Sequence, residues 1–235
     1  MGAVAGTTVL VTGGRRGLGA AIVDEALRRG AAKVYSTART PFTDERPAVH
    51  THVLEVRSEQ SVAELAAIAT DVDIVVNNAG VLLPGPLLTG DLDAVSETFD
   101  VNALGPLRVA RAFALTLAAH GGGALVNVHS VLSWLGGSGA YGASKAAAWS
   151  ITNSLRVELA AQGTQVVGVH AGFIDTDMTS ALDLPKSTPA AVAGRILDGL
   201  ESGATEVLAD AVTESVKHIL SGPVEKLTLQ HWLGR

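Results

Sequence analysis

The chain has 235 residues, 47% of them hydrophobic and 17% charged, with a formal net charge of −6. That composition supports a packed interior and excludes intrinsic disorder, and its dispersed Lys and Arg residues offer no basic face to a nucleic acid. Cysteine is absent, which excludes disulfides and thiolate-bound metal, and no apolar run is long enough to span a membrane.

Residues 1–6 lead directly into the apolar run Thr7-Thr8-Val9-Leu10-Val11 without a basic leader segment, so a cytoplasmic location is expected. Strand-like runs follow at 9–12, 33–37, 49–56, 73–76, 124–128, 165–169 and 206–208. Between most of them, residues 18–29, 61–69, 92–118 and 143–161 place apolar side chains at helical spacing. Gly105-Pro106 falls inside the third of these stretches and predicts a local kink, because proline lacks an N–H and its ring opposes helix continuation. Strand and helix alternating throughout predict a Rossmann-type α/β fold. It is a doubly wound parallel sheet of about seven strands with helices on both faces, in one domain spanning 1–235.

The first chemical motif lies between the first strand and the first helix, in Gly13-Gly14-Arg15-Arg16-Gly17-Leu18-Gly19. Glycines at a strand–helix turn let backbone N–H groups approach a phosphate at the helix N-terminus. The second strand ends in Ser36-Thr37-Ala38-Arg39. An acid at this place would bond a ribose 2′-OH and repel a 2′-phosphate; Ala38 does neither. Arg16 and Arg39 are expected to clamp that phosphate with two guanidiniums, so the cofactor expected is NADP.

Three motifs in order, Thr12-Gly13-x-x-x-Gly17-x-Gly19, Asn77-Asn78-Ala79-Gly80 and Tyr141-x-x-x-Lys145, resemble the short-chain dehydrogenase/reductase family over residues 7–176. The resemblance implies hydride transfer between a nicotinamide cofactor and an alcohol or ketone, with Tyr141 as general acid/base, Ser130 holding the carbonyl oxygen, Lys145 on the nicotinamide ribose and Asn102 supporting a water-linked proton path. It also implies cofactor contacts from Gly13, Arg15, Arg16, Gly17, Leu18, Gly19, Arg39, Glu55, Val56, Asn78, Ala79, Gly80, Gly172, Ile174 and Thr176. Tyr141 and Lys145, four apart on one helix face, are expected to couple so that the ammonium lowers the phenol pKa. Ser133 is the second candidate for the serine.

The chain departs from the family pattern at three places: Glu55 stands where an Asp is usual, Ala171 replaces a proline before Gly172, and the glycine-rich ending gives way to residues 224–235. Substrate is expected between the Tyr141 helix, the loop after the fourth strand and the segment after Thr176, against Leu82, Ser130, Trp134, Leu135, Tyr141 and Met178. These side chains imply a small, largely apolar carbonyl compound or alcohol. His170 reads as a packed histidine, and the histidines show no metal-ligand spacing, so no metal is expected. A homodimer or homotetramer is expected, with Trp232 and Leu233 and the long apolar helices as contact surfaces. A cofactor-binding regulator or scaffold without catalysis is the alternative reading. The longer-chain epimerase or dehydratase group is a poorer match, because the chain lacks a large C-terminal substrate region.

Overall fold

Strand β1 (Thr8–Val11) is buried along its whole length, and its side chains set the layers. Val9 and Val11 enter one apolar layer while Leu10 enters the other, as the two-residue period of a strand requires. The computed structural model describes residues 4–83 and 85–234. Six further strands, β2 (Lys33–Ala38), β3 (Val49–Val53), β4 (Ile74–Asn77), β5 (Ala124–Val128), β6 (Gln165–His170) and β7 (Glu206–Leu208), complete one sheet. All pairs are parallel, in the order β3-β2-β1-β4-β5-β6-β7. This is the expected doubly wound sheet of seven strands.

One layer joins the sheet to α1 (Gly17–Arg28) and α6 (Pro189–Glu201), through Ile22, Val23 and Ala26 on the first and Val192, Ile196, Leu197 and Leu200 on the second. Arg29 ties the two helices together, reaching Glu25 at 2.8 Å, Asp198 at 2.7 Å and Glu201 at 2.6 Å. The opposite layer holds α2 (Glu59–Ile68), α4 (Gly105–Ala119) and α5 (Gly139–Glu158), with Leu65, Phe113, Leu117 and Leu155 against Leu10, Val75 and Leu125.

Three features depart from the expected alternation. No helix joins β2 to β3; residues 39–48 cross as an irregular strap, with prolines at 41 and 47 opposing helix and Arg46 anchored to Asp44 and to Asp24 of α1. Helix α6 and α7 (Ala211–Ile219) were not expected, although Thr188 before Pro189 and Asp210 before Thr213 are N-cap signals. The third expected helix divides into α3 (Leu92–Phe99), a π-helical turn at Asp100–Leu104, and α4. The break falls just ahead of Pro106, which accounts for the expected kink.

Near the ends of β5 and β6 lie two buried histidines. His129 is 3% exposed and His170 fully buried, with ring centroids 5.2 Å apart. Burial pushes His129 well below its ordinary value, His170 adding repulsion, and burial pushes His170 down to about 3. Both rings are therefore neutral in the folded chain and protonate below about pH 6.5 only when it unfolds. Their contribution to stability is complete above pH 6.5 and is lost as pH falls toward the folded values, at about 1.4 kcal/mol per pH unit for each ring. His129→Leu is expected to reduce the acid sensitivity of the urea unfolding free energy by about one such slope between pH 6 and 4.5. An unchanged slope in that variant would mean that His129 already titrates normally.

Candidate active site

The chain runs from β1 outward to β2 and β3, then returns to β4 on the other side of β1. Such a reversal opens a crevice at the carboxyl ends of the strands, and a cleft of about 1040 Å³ lies there. Thr12 holds its two lips together: its Oγ1 accepts from the N–H groups of Asn78 and Ala79, each at 3.0 Å. Asn78 reciprocates by donating Nδ2 to the carbonyls of Thr12 and Gly13, at 3.0 and 3.2 Å. Gly17 starts α1 with φ of +57°, and a Cβ on Gly19 would overlap the carbonyl oxygen of Gly13. The helix N-terminus and its free N–H groups consequently face the cleft, where an anion is favoured.

Gly13, Arg15, Arg16, Gly17, Leu18, Gly19, Arg39, Glu55, Val56, Asn78, Ala79, Gly80, Gly172, Ile174 and Thr176 all line this cleft, as do Ser130, Tyr141, Lys145 and Met178. The arginines are arranged differently from the expectation. Arg16 turns across the mouth to Asp177, 2.9 Å away, whereas Arg15 donates to Thr40 Oγ1 at 2.8 Å, beside Arg39. The pair at the Ala38 end is therefore Arg15 and Arg39. Glu55 is engaged by Arg57, whose hydrogen bond holds the carboxyl below its ordinary range.

At the other end, α5 begins at Gly139 and so carries Tyr141 and Lys145 in its first two turns. Lys145 Nζ donates to the Val128 carbonyl at 2.8 Å and stands 5.9 Å from the centre of the Tyr141 ring. Ser130, extended at the end of β5, accepts the N–H of Leu132 on its Oγ at 3.2 Å. The expected acidification of Tyr141 by the ammonium is not what this geometry produces. Burial raises the phenol above its ordinary 10.0, and the Ser130 hydroxyl pulls it partly back. Burial also pushes Lys145 down to about 8, which removes part of the charge that was to act on Tyr141.

Four residues singled out from sequence lie outside the cleft. Asn102 is fully buried in the π-helical turn, accepting Val81 N–H and donating to the Val81 carbonyl, both at 2.9 Å, and to Ser144 Oγ at 3.0 Å. It ties the loop after β4 to α5. Trp134 and Leu135 belong to an apolar cluster with Val131 and Val216, the Trp134 ring stacks on His170 at 3.9 Å, and both residues line a separate, smaller cavity of about 280 Å³. Leu82 is 37% exposed outside the cleft wall. Trp232, expected on a subunit contact, packs partly buried on the same cluster within its own chain. Thr40, Asp177 and Thr179 line the cleft without having been singled out. Only their adjacency to Arg39 and Thr176 could have signalled them.

The buried ammonium has a measurable consequence. Below pH 8 Lys145 is charged in both folded and unfolded chain, and the folded state carries the full desolvation cost. Between pH 8 and 10.5 the folded state releases its proton first, so stability recovers by about 3 kcal/mol. Relative to Lys145→Met, the unaltered protein is expected to gain that amount over this range in chemical denaturation, and a constant difference would show that Lys145 titrates as an exposed lysine.

Residues 7–186 match the family model of the short chain dehydrogenases. A short chain dehydrogenase from Burkholderia cenocepacia, solved in complex with NADP, superposes with a TM-score of 0.92 and 34% identity, covering 98% of this chain and 99% of that one. The 3-oxoacyl-(acyl-carrier-protein) reductase FabG of Vibrio cholerae is 32% identical over 211 residues, 83% of this chain and 86% of that protein. An uncharacterized oxidoreductase of Staphylococcus saprophyticus is 29% identical over 189 residues, 74% of this chain and 81% of that protein. With this match, and with the doubly wound sheet and its crevice in place, the chain belongs to the short chain dehydrogenase family of oxidoreductases.

Proposed function

We propose that the protein is an NADP(H)-dependent reductase that converts a small, largely apolar ketone or aldehyde to its alcohol. The observation that carries this reading is the presence, in one cleft, of Ser130, Tyr141 and Lys145 at one end and Arg15 and Arg39 beside Ala38 at the other. The site fits the dinucleotide: the absence of a Cβ at Gly19 lets the glycine turn pack tightly against the start of α1, the α1 N-terminus favours the pyrophosphate, and two guanidiniums suit the 2′-phosphate with Ala38, not an acid, at the end of β2. The NADP-bound Burkholderia structure supports the same choice. When bound, the cofactor supplies the hydride.

The side chains do the rest. Tyr141, protonated near neutrality, lines the cleft beside Ser130 and is the group placed to give a proton to the carbonyl oxygen. Ser130 holds that oxygen by hydrogen bonding. Lys145, at about 8, can pass a proton on at physiological pH. Asn102 stands four residues before Pro106, which has no N–H for the Asn102 carbonyl; that carbonyl is suited to hold a water on the proton path. Val81, Ile174 and Met178 give the reacting end an apolar wall. Leu115 and Val157, 82% and 78% exposed on α4 and α5, supply an apolar face for a second copy of the chain.

Tyr141→Phe is expected to lower kcat by about a hundredfold or more while NADPH affinity stays within twofold or so of the original. Arg15→Ala and Arg39→Ala should each weaken NADPH by about tenfold and leave NADH use nearly unchanged. The substrate class is read from initial rates with an aryl ketone, an aliphatic ketone, an acetoacetyl thioester and a charged sugar acid. Fastest turnover of the sugar acid would overturn the apolar assignment, and NADPH binding with no turnover of any of the four would favour the scaffold reading.

A further inference from the structure

The serine loop is held from behind by groups that the proposed reaction does not use. The Ser130 carbonyl oxygen accepts three contacts: Ser133 N–H at 3.0 Å, Ser133 Oγ at 2.6 Å and His170 Nδ1 at 3.3 Å. His170 Nδ1 also lies 3.2 Å from Ser133 Oγ. All three groups are buried: Ser133 is 8% exposed, Ser130 6% and His170 fully enclosed. Ser133 spends its only proton on the short bond to the Ser130 carbonyl, so the hydrogen between Ser133 and His170 must come from the imidazole. That requires the Nδ1–H tautomer. The other nitrogen agrees: Nε2 has no hydrogen-bond partner among the described residues, and the Glu206 carboxylate is 3.9 Å away, too far to accept from it.

The ring is fixed in that attitude. Trp134 stacks on His170 at 3.9 Å with planes 22° apart, and Trp149 meets it edge-on at 6.0 Å. The same backbone stretch is tied to β6, since Val131 N–H donates to the Ala171 carbonyl at 2.8 Å. Ala171 has no ring to restrict φ as proline does, so the turn after β6 depends on such contacts for its shape. The catalytic-end loop and the cofactor-facing turn at Gly172 are thus joined through one buried cluster.

From this geometry we infer that Ser133 and His170 are a positioning pair. Together they pin the Ser130 carbonyl, and through that backbone they set the direction of the Ser130 hydroxyl toward Tyr141 and the reacting oxygen. Neither touches substrate or cofactor. The serine that sequence offers as the second candidate for catalysis acts here by orienting the first. The inference rests on the role given to Ser130 in the proposed reaction, and its test separates the two.

The chain has two tyrosines, so in a Tyr35→Phe background the phenolate absorbance reports Tyr141 alone, without any substrate. In that background Ser130→Ala is expected to shift the Tyr141 midpoint upward, because the hydroxyl that lowers it is gone. Ser133→Ala and His170→Gln are expected to shift it upward as well, whereas His170→Asn, whose amide N–H falls near the original Nδ1, retains the original midpoint. Combining Ser133→Ala with Ser130→Ala should add nothing to Ser130→Ala alone. With the best carbonyl compound of the four-compound comparison, the single variants should lose about tenfold in kcat, with NADPH affinity unchanged. If Ser130→Ala leaves the midpoint in place, the role of Ser130 itself fails. If Ser130→Ala shifts it but Ser133→Ala and His170→Gln do not, or if the effects add in the double variant, the pair is only packing and the inference is overturned.

Discussion

Everything at the site depends on the two lips of one crevice being held at a fixed separation. The constraint is the exchange between Thr12 and Asn78, in which one hydroxyl accepts two backbone N–H groups and one side-chain amide caps two carbonyls. Parallel strands end with unpaired backbone groups wherever the order reverses, and buried groups of that kind must be satisfied. Here the loops after β1 and β4 satisfy each other. The glycine turn then has no freedom to collapse into the space, and the α1 N-terminus stays aimed at it. The same exchange packs the turn against the start of α1, since the Gly13 carbonyl that a Cβ on Gly19 would strike is one of the two that Asn78 holds.

A second theme is that burial, more than charge, sets the titration behaviour at this site. Tyr141 and Lys145 are close in sequence and share a helix face, and proximity alone suggests that the cation acidifies the phenol. Desolvation acts on both and in opposite senses, raising the phenol and lowering the ammonium. The ammonium falls below the phenol, so Lys145 becomes the stronger acid of the two and its proton would return readily to a tyrosinate. His129 and His170 follow the same rule and stay neutral beside them. A neutral His170 is also what allows its Nδ1–H to serve the Ser130 carbonyl without placing a further charge behind the serine.

Much of this architecture was legible in the residues. Valine-rich runs named every strand, the central ones because strands buried on both faces cannot hide their composition, and β5 begins and ends where the pattern predicts. Helix α6 was missed even though Val192, Ile196, Leu197 and Leu200 have helical spacing; its signal was diluted by the small residues between them. The irregular strap after β2 was missed because its anchors, a local pair of Arg46 with Asp44 and a tertiary pair of Arg46 with Asp24, are invisible to periodicity. Motif spacing identified the residues around the cleft but not their directions. Arg16 and Arg15 are neighbours in sequence, yet only coordinates show which faces Asp177 and which faces Thr40. Trp134 looked like a substrate wall for the same reason: an aromatic beside a serine loop reads identically whether it points to the cleft or away.

The C-terminal segment is tied into the fold although its sequence departs from the usual glycine-rich ending. Leu227 accepts the Gly136 N–H at 2.9 Å and Leu229 donates back to the Gly136 carbonyl at 2.8 Å, so the tail pairs with the loop leading from Ser130 to Tyr141. Trp232 then closes the cluster that contains Trp134 and Val131. A loop with glycines at 136, 137 and 139 has high conformational entropy when free, and a residue held by hydrogen bonds and apolar burial on its far side recovers order without adding bulk to the cleft. The residues that replace the usual ending therefore act on the chemistry at one remove. They restrain the segment that delivers Tyr141, just as His170 and Ser133 restrain the segment that delivers Ser130, and the cleft between is left free for ligands because its rigidity is supplied from behind.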